Sequence, residues 1–334
     1  MDYVIIGMGS GRLNYGGVAI NVVRLYHYMK NINCNVVAIL SSPQNICEHV
    51  DETFIHCGTG LITRMVDKYI TANTIIILRS WISMTLMAYL KRKKCKTLLF
   101  NPGVMVDSLN TFYFDTPNVK TYLCKTTIDT MTNVDQIYVN SILTQSIVKE
   151  YIKKDSTLFY FSAIPLKKNI IDWNKKEMDI IFIASSLERQ IKNYELFEKI
   201  IGGLQNNKLK ICIVGENKTK MIPQNVIYIG EVTQEQAIEL ISKSKMVINT
   251  SFFDSCPTTL FEAIVSGTKY ICSKNVGGSE LLPKEYIVDD YKNVEAWMNT
   301  INKEMSSEFD RELLNVFDQI NVNVPQFLKL NVLN

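Results

Sequence analysis

The chain has 334 residues, 47% of them apolar and 21% charged, with a formal net charge of +3. These figures exclude a disordered or membrane-spanning protein, and a charge so near neutrality gives no reason to expect nucleic acid as a partner. The length predicts two domains of roughly 150 residues each. Eight cysteines occur without a C-x-x-C pair or a histidine cluster at ligand spacing. They are read as free, buried thiols of a reducing compartment, and no signal peptide precedes the first strand, so a cytoplasmic location is expected.

In chain order, Tyr3–Ile6 is a short apolar strand, followed by a Gly-rich loop from Gly7 to Gly17 with one basic residue, Arg12. Val18–Met29 has helical periodicity, and Asn35–Leu40 is the next strand. The run Gly7-Met-Gly9-Ser-Gly11-Arg12 lacks the last glycine of G-x-G-x-x-G, and the second strand ends in Ser41-Ser42 without an acidic residue. A nicotinamide dehydrogenase is therefore not expected. Gly16-Gly17, directly before a helix, allows the backbone to approach a ligand closely.

Further strand–helix units are read at Thr53–His56 with Leu61–Ile70, Thr74–Leu78 with Trp81–Lys91, and Lys96–Phe100. Gln136–Val139, a helix from Ser141 to Lys153, and Thr157–Phe161 close the first half. The apolar stretch Thr74–Leu90 is broken by Arg79, Ser80 and Ser83 and is too short to cross a bilayer. The basic run Lys91–Lys94 reads as a solvated helix end, with peripheral contact to anionic lipid as the other reading. His27, His49 and His56 read as ordinary surface or core residues, and Phe252, Phe253 and Tyr113 as core residues before stacking platforms. Strands spaced by helices of this length predict a parallel sheet covered on both faces, with ligands at the carboxyl ends of its strands.

Lys154–Trp173 is polar, contains Pro165, and reads as a linker. The alternation then restarts with the strand Asp179–Ile183, the helix Tyr194–Leu204, and the strands Lys210–Val214 and Val226–Ile229. A helix from Gln234 to Ser242 leads to the strand Met246–Ile248. After it stands the stretch Ser251–Thr268, which predicts a tight loop, a helix from Thr258 to Val265, a stop at Gly267, and a strand at Tyr270–Cys272. Ser255 or Cys256 is expected to cap that helix, with Pro257 at its first position. Asp254 in the loop and Glu262 in the helix are separated by seven residues. Two acceptors beside helix N–H donors suit the paired hydroxyls of a sugar or ribose; a turn cap and a solvated helix residue are the bland alternative. Asp289-Asp290 lacks the middle residue of a D-x-D metal motif and reads as a turn.

The segment Asp254-x7-Glu262 with Ala263, Gly267 and Thr268 resembles the E-x7-E signature of the family 4 retaining GT-B glycosyltransferases, with Asp in place of the first Glu. Asn275-Val-Gly-Gly-Ser-Glu-Leu-Leu282 is similar to that family's V-G-G-x-x-E-L. The resemblance implies an α/β GT-B fold, two Rossmann-like doubly wound parallel-sheet domains facing across a cleft. The boundaries expected are 1–165 for an acceptor-side domain, 166–310 for a donor-side domain, and 311–334 for a tail, with Glu308–Ile320 as a helix returning to the first domain. The Ile-, Asn- and Lys-heavy composition points to an AT-rich genome, such as that of a parasite or large virus, and cytoplasm there includes that of an infected host cell.

What the resemblance implies about activity is transfer of a sugar from a UDP- or GDP-linked donor to a hydroxyl acceptor, with retention and with no metal or other cofactor. The acceptor class is a glycan, glycoprotein or lipid-linked sugar. Lys192 matches the family's diphosphate-binding lysine, and Arg189 is the nearest substitute for its arginine. Glu262 would hold the nucleotide ribose and Asp254 the transferred sugar. Gly16 and Gly17 match the family's first-domain glycine pair, and further contacts are implied at Gly215, Glu231, Ser255, Thr258, Thr259 and Leu260. Asn101 stands where many members carry a histidine, and it cannot act as a base. A catalytically silent nucleotide-sugar-binding module and a nucleotide-sugar epimerase of similar shape are the alternatives.

Overall fold

The computed structural model describes residues 2–8, 17–42, 47–49, 52–79, 82–100, 117–160, 166–204, 209–224 and 226–320. Two compact units meet in sequence between Pro165 and Leu166, and the second runs to Asn321.

The first unit contains an eight-stranded sheet built from β1 (Asp2–Met8), β2 (Asn35–Ser42), β3 (Cys47–His49), β4 (Phe54–Gly58), β5 (Ile75–Leu78), β6 (Lys96–Phe100), β7 (Gln136–Val139) and β8 (Thr157–Leu158). Their order is β3-β4-β2-β1-β5-β6-β7-β8. Every pairing is parallel except β3 against β4, where Cys47 faces Cys57. The central strand β1 is buried from Tyr3 to Ile6, the near-continuous apolar run that a strand covered on both faces requires. Its cover includes α1 (Gly17–Asn31), whose Leu25 and Met29 are fully buried. The other helices are α2 (Ile62–Tyr69), α3 (Met84–Arg92), α4 (Pro117–Asn133) and α5 (Ile142–Ile152).

Four features of this unit depart from expectation. Helix α3 starts at Met84, not Trp81, because the Ser83 hydroxyl accepts from Leu86 N at 3.2 Å and so fixes the N-cap there. The antiparallel strand β3 and the 17-residue helix α4 were not anticipated. Arg79, expected only to interrupt an apolar run, is buried at the end of β5 and donates to the Phe100 carbonyl at 2.5 Å. Desolvation pushes its guanidinium down to about 9.

The second unit holds a six-stranded, wholly parallel sheet of β9 (Met178–Ser186), β10 (Ile211–Glu216), β11 (Val226–Gly230), β12 (Ser244–Asn249), β13 (Lys269–Ser273) and β14 (Ile287–Val288). The order β11-β10-β9-β12-β13-β14 means that the chain steps outward from β9 to β11, then returns to the other side of β9. The reversal between β9 and β12 is the switch point at which doubly wound sheets leave a crevice at the carboxyl ends of their strands. The helices are α6 (Tyr194–Gly203), α7 (Gln234–Ser242), α8 (Thr258–Val265) and α9 (Val294–Met305), and residues 312–320 are also helical. That last helix belongs to the second unit: it buries Leu313 and Phe317, and Asp318 pairs with Lys168 at 2.6 Å. Asp290 shapes a turn, its carbonyl accepting from Asn293 N at 3.1 Å. Among the described residues, no helix is long and apolar enough to cross a membrane.

Two lysines lie inside this unit. Lys176 donates to the carbonyls of Ser242 at 2.7 Å and Ser266 at 3.3 Å and to Thr268 Oγ1 at 3.0 Å, tying the C-terminal ends of α7 and α8 together. Its ammonium complements both helix dipoles, yet burial lowers its pKa from 10.5 to about 8. Between those values the unfolded chain binds the extra proton, so this group makes stability rise as pH climbs from about 8 to 10.5. Denaturant unfolding at pH 7.5 and pH 10 should therefore show a difference between wild type and Lys176→Met that narrows or reverses at pH 7.5 relative to pH 10. A pH-independent difference between the two proteins contradicts the burial argument. The second lysine, Lys269, is wholly buried and pairs with Glu304 Oε2 at 2.9 Å.

Candidate active site

At the switch point of the second sheet, two of the predicted residues, Lys192 and Asp254, meet. After β9 the chain makes a single 3₁₀ turn, Gln190–Lys192, and Asn193 turns left-handed at φ 51° to start α6. Asparagine tolerates that conformation better than most residues. The loop after β12 is stitched to this turn: Phe252 N donates to Ile191 O at 2.9 Å, and Thr250 Oγ1 to the carbonyls of Lys192 and Asn193 at 3.0 Å each. These bonds deliver Lys192 Nζ to Asp254 Oδ2 at 2.5 Å, with the two side chains only 19% and 14% exposed. Asp254 is also tied to the loop after β13: its N donates to Asn275 O at 3.2 Å, and Gly277 N donates to its carbonyl at 2.7 Å. Three strand ends thus converge on one charge-assisted pair.

A polar floor supports the loop from below. Asn249 Oδ1 accepts from Ser251 N at 2.9 Å while its Nδ2 donates to the Tyr270 hydroxyl at 2.7 Å, and Thr259 Oγ1 lies 3.2 Å from the same hydroxyl. Tyr270 is fully buried, which raises its pKa well above the ordinary phenolic value and keeps it neutral. Burial likewise raises the Cys256 and Cys272 thiols, so neither offers a thiolate nucleophile at neutral pH. A third brace is Glu188, whose carboxylate accepts from Lys218 N at 2.6 Å, Thr219 N at 2.9 Å and Ser186 Oγ at 2.8 Å. Those bonds, the Lys218 amide first, hold its carboxyl down at about 2 and fix the loop after β10 beside the loop after β9.

Glu262 is placed inside α8 with 3% of its surface exposed, and its Oε1 accepts from Gln234 Nε2 at 2.9 Å. The start of α8 differs from expectation. Pro257 is the N-cap itself, extended at ψ 138°, and neither Ser255 nor Cys256 caps the helix. Gly267, at φ 60°, terminates it as expected. Thr258 and Thr259 are half-buried in the first turn, and Ser255 is buried just before it. Leu260 has a wholly buried side chain, its N–H donates to Pro257 O at 3.2 Å, and a Cβ on Gly278 would lie 2.5 Å from its Cδ2.

Arg189 is exposed and donates to Ser185 Oγ at 3.2 Å, on the same loop as Lys192. Glu231 follows β11 and is exposed, and Gly17 opens α1. Gly16 and Asn101 lie outside the described residues, as does Tyr113. Gly215 adopts φ 143°, and a Cβ there would stand 2.1 Å from the Ala184 carbonyl oxygen. Gly215→Ala is therefore expected to lower stability by about 3 kcal/mol. Equilibrium urea unfolding of the variant reads this directly, and a loss under about 0.5 kcal/mol contradicts the clash.

Spacing alone carried no signal for Gln234, Tyr270 or Glu188. Each acts through a partner 11 to 30 residues away, at Glu262, Thr259 and Lys218. Among the described residues, no three His, Cys, Asp or Glu side chains gather in a way that could hold a metal ion.

Residues 164–320 match the family model described as glycosyl transferases group 1. Among solved structures, the chain is similar to a sucrose-phosphate synthase from Thermosynechococcus elongatus, with TM-score 0.73, 13% identity, and 98% of each chain covered. It is similar to an E. coli trehalose-6-phosphate structure with bound UDP-2-fluoro glucose, with TM-score 0.67, 8% identity, and 99% of this chain and 98% of that one covered. A glycosyltransferase from Rickettsia africae ESF-5 aligns with TM-score 0.58 at 15% identity, over 96% of this chain and 99% of that one. No curated protein matches the chain in sequence. With Lys192 and Asp254 joined at the switch point of a six-stranded parallel sheet, residues 164–320 are a group 1 glycosyltransferase domain in a chain of GT-B fold.

Proposed function

We propose that the protein transfers a sugar from a nucleoside-diphosphate donor to a hydroxyl acceptor, with retention of configuration and without a divalent metal. The observation that carries this reading is the Lys192–Asp254 contact at 2.5 Å, a cation and a sugar-binding acid delivered to one point by the loops after β9 and β12. When the bond from the anomeric carbon to the donor's phosphate oxygen breaks, negative charge grows on the diphosphate. Lys192, helped by Arg189 on the same loop, supplies the opposing charge that a metal ion supplies elsewhere. Asp254 accepts hydrogen bonds from hydroxyls of the transferred sugar, and Glu262 from those of the nucleotide ribose. The acceptor hydroxyl forms the new bond to the anomeric carbon, and its proton passes to the departing phosphate.

The donor base is read as uracil or guanine, the acceptor as a glycan, glycoprotein or lipid-linked sugar, and the setting as cytoplasm. The UDP-2-fluoro glucose bound in the E. coli structure supports the uracil choice by analogy of fold. Cys95, Cys212, Cys256 and Cys272 are buried free thiols, which suits a reducing compartment. The test is turnover of a panel of nucleotide sugars with an excess of chelator present, with the product's anomeric configuration read by proton NMR. Transfer with retention is the expected result. Binding without turnover supports a silent module instead, and an isomerised free donor supports an epimerase.

A further inference from the structure

We infer that Gln234 is a positioning residue for the nucleotide: it sets the carboxylate of Glu262, and through it the grip on the ribose. The inference rests on the donor reading above and goes beyond it, since the Asp254-x7-Glu262 motif includes no residue of α7.

Gln234 is the first residue of α7, and its direction is fixed from both sides. Thr233 caps the helix by accepting from Gln236 N at 3.3 Å, and Gln236 Oε1 accepts from Thr233 N at 2.8 Å. This reciprocal box holds the first turn rigid. From it the half-buried Gln234 side chain reaches 2.9 Å to Glu262 Oε1. Glu262 sits between Phe261 and Ala263, both wholly buried, so its carboxylate is largely removed from water. A carboxylate in such a place depends on protein donors, and a planar amide bonded to one oxygen fixes the plane in which the carboxylate meets a ligand. The same short segment, from Gly230 to Gln234, carries Glu231 at the end of β11.

Three variants separate a positioning role from a merely structural one. Gln234→Met keeps the length and removes the donor. Its dissociation constant for UDP or GDP, by calorimetry, should rise about tenfold, the ordinary effect of losing one hydrogen bond to a charged group. KM for the donor should rise similarly with kcat within about twofold, because the grip is equally present in the ground and transition states. Gln234→Glu sets two carboxylates against each other and should weaken binding further, with partial recovery at pH 5, where the pair shares a proton. The decisive measurement is Gln234→Met in a Glu262→Ala background. A residue acting only through Glu262 adds nothing there, whereas a structural role adds its full effect.

Nucleotide affinity of Gln234→Met within twofold of wild type overturns the inference, as does full additivity in the double variant. Should Gln234→Met melt more than about 5 °C below wild type, Gln234→Glu and its pH dependence carry the test at low temperature, and a pH-independent loss overturns the inference. If wild type binds no nucleotide or nucleotide sugar, the proposed function itself falls. If wild type binds and Glu262→Ala weakens it while Gln234→Met does not, only the role of Gln234 falls.

Discussion

Lys192→Ala is expected to reduce sugar transfer by a factor of about 10² to 10³, the cost of removing one fixed donor aimed at developing charge. The same change should weaken nucleoside-diphosphate binding, because Lys192 is the cation that the strand-end bonds deliver to Asp254. The lysine is already paired with a carboxylate at 2.5 Å. A diphosphate must therefore compete with Asp254 for it, and Asp254→Asn should lower turnover while leaving diphosphate affinity unchanged or tighter. Glu262→Ala should weaken nucleotide affinity more than Asp254→Asn does. Initial rates with a saturating donor and calorimetry with the free diphosphate separate these effects. Full activity in Lys192→Ala removes the residue from the mechanism, and the reverse order of affinities exchanges the roles given to the two acids.

Much of this framework was legible because local signals agreed with one another. Lys96–Phe100 and Gln136–Val139 are strands at the residues read from their apolar runs. Helix α7 begins and ends as read because Thr233 and Gln236 form a capping box, and α8 ends where Gly267 takes a left-handed turn. What escaped had either too little chain or too weak a pattern. The three residues of β3 cannot show a period, and α4 is Thr-rich with no acidic residue in its first turn. Pro257 misled through a sound rule: proline suits the first helical position, but its ψ of 138° leaves it just outside the helix.

The site divides along the same line. Asp254 and Glu262 stood out because seven residues separate them in one segment. The Lys192–Asp254 pair spans 62 residues and follows from the order of strands, which no local period encodes. The resemblance to a known motif supplied Lys192. It gave no hint of Gln234 or Tyr270, whose partners are fixed only by how α7 and β13 lie against α8.

Glu304→Ala is expected to lower the stability of the second unit by about 3–5 kcal/mol, the range for stripping one partner from a buried ion pair. Lys269 has no exposed side-chain surface, and Glu304 is 7% exposed. The ammonium donates to Glu304 Oε2 at 2.9 Å, to the Glu304 carbonyl at 2.6 Å and to Ser307 Oγ at 2.6 Å. It also lies over the rings of Trp173 at 5.4 Å and Tyr286 at 5.5 Å. Lys269 belongs to β13, next to the fully buried Tyr270, so the pair anchors the strand that underlies the Asp254 loop. Removing Glu304's carboxylate leaves an ammonium with neutral partners in a dry place, where desolvation already lowers its pKa. The melting temperature should fall by about 10 °C for a unit of this size. The Lys269→Met, Glu304→Leu double variant separates the charge from the packing. It removes both ions and fills the space, so it should recover most of the loss, short of the Glu304 carbonyl left without its donor. Two results are incompatible with this account: a Glu304→Ala cost below about 1 kcal/mol, or a double variant no more stable than the single one.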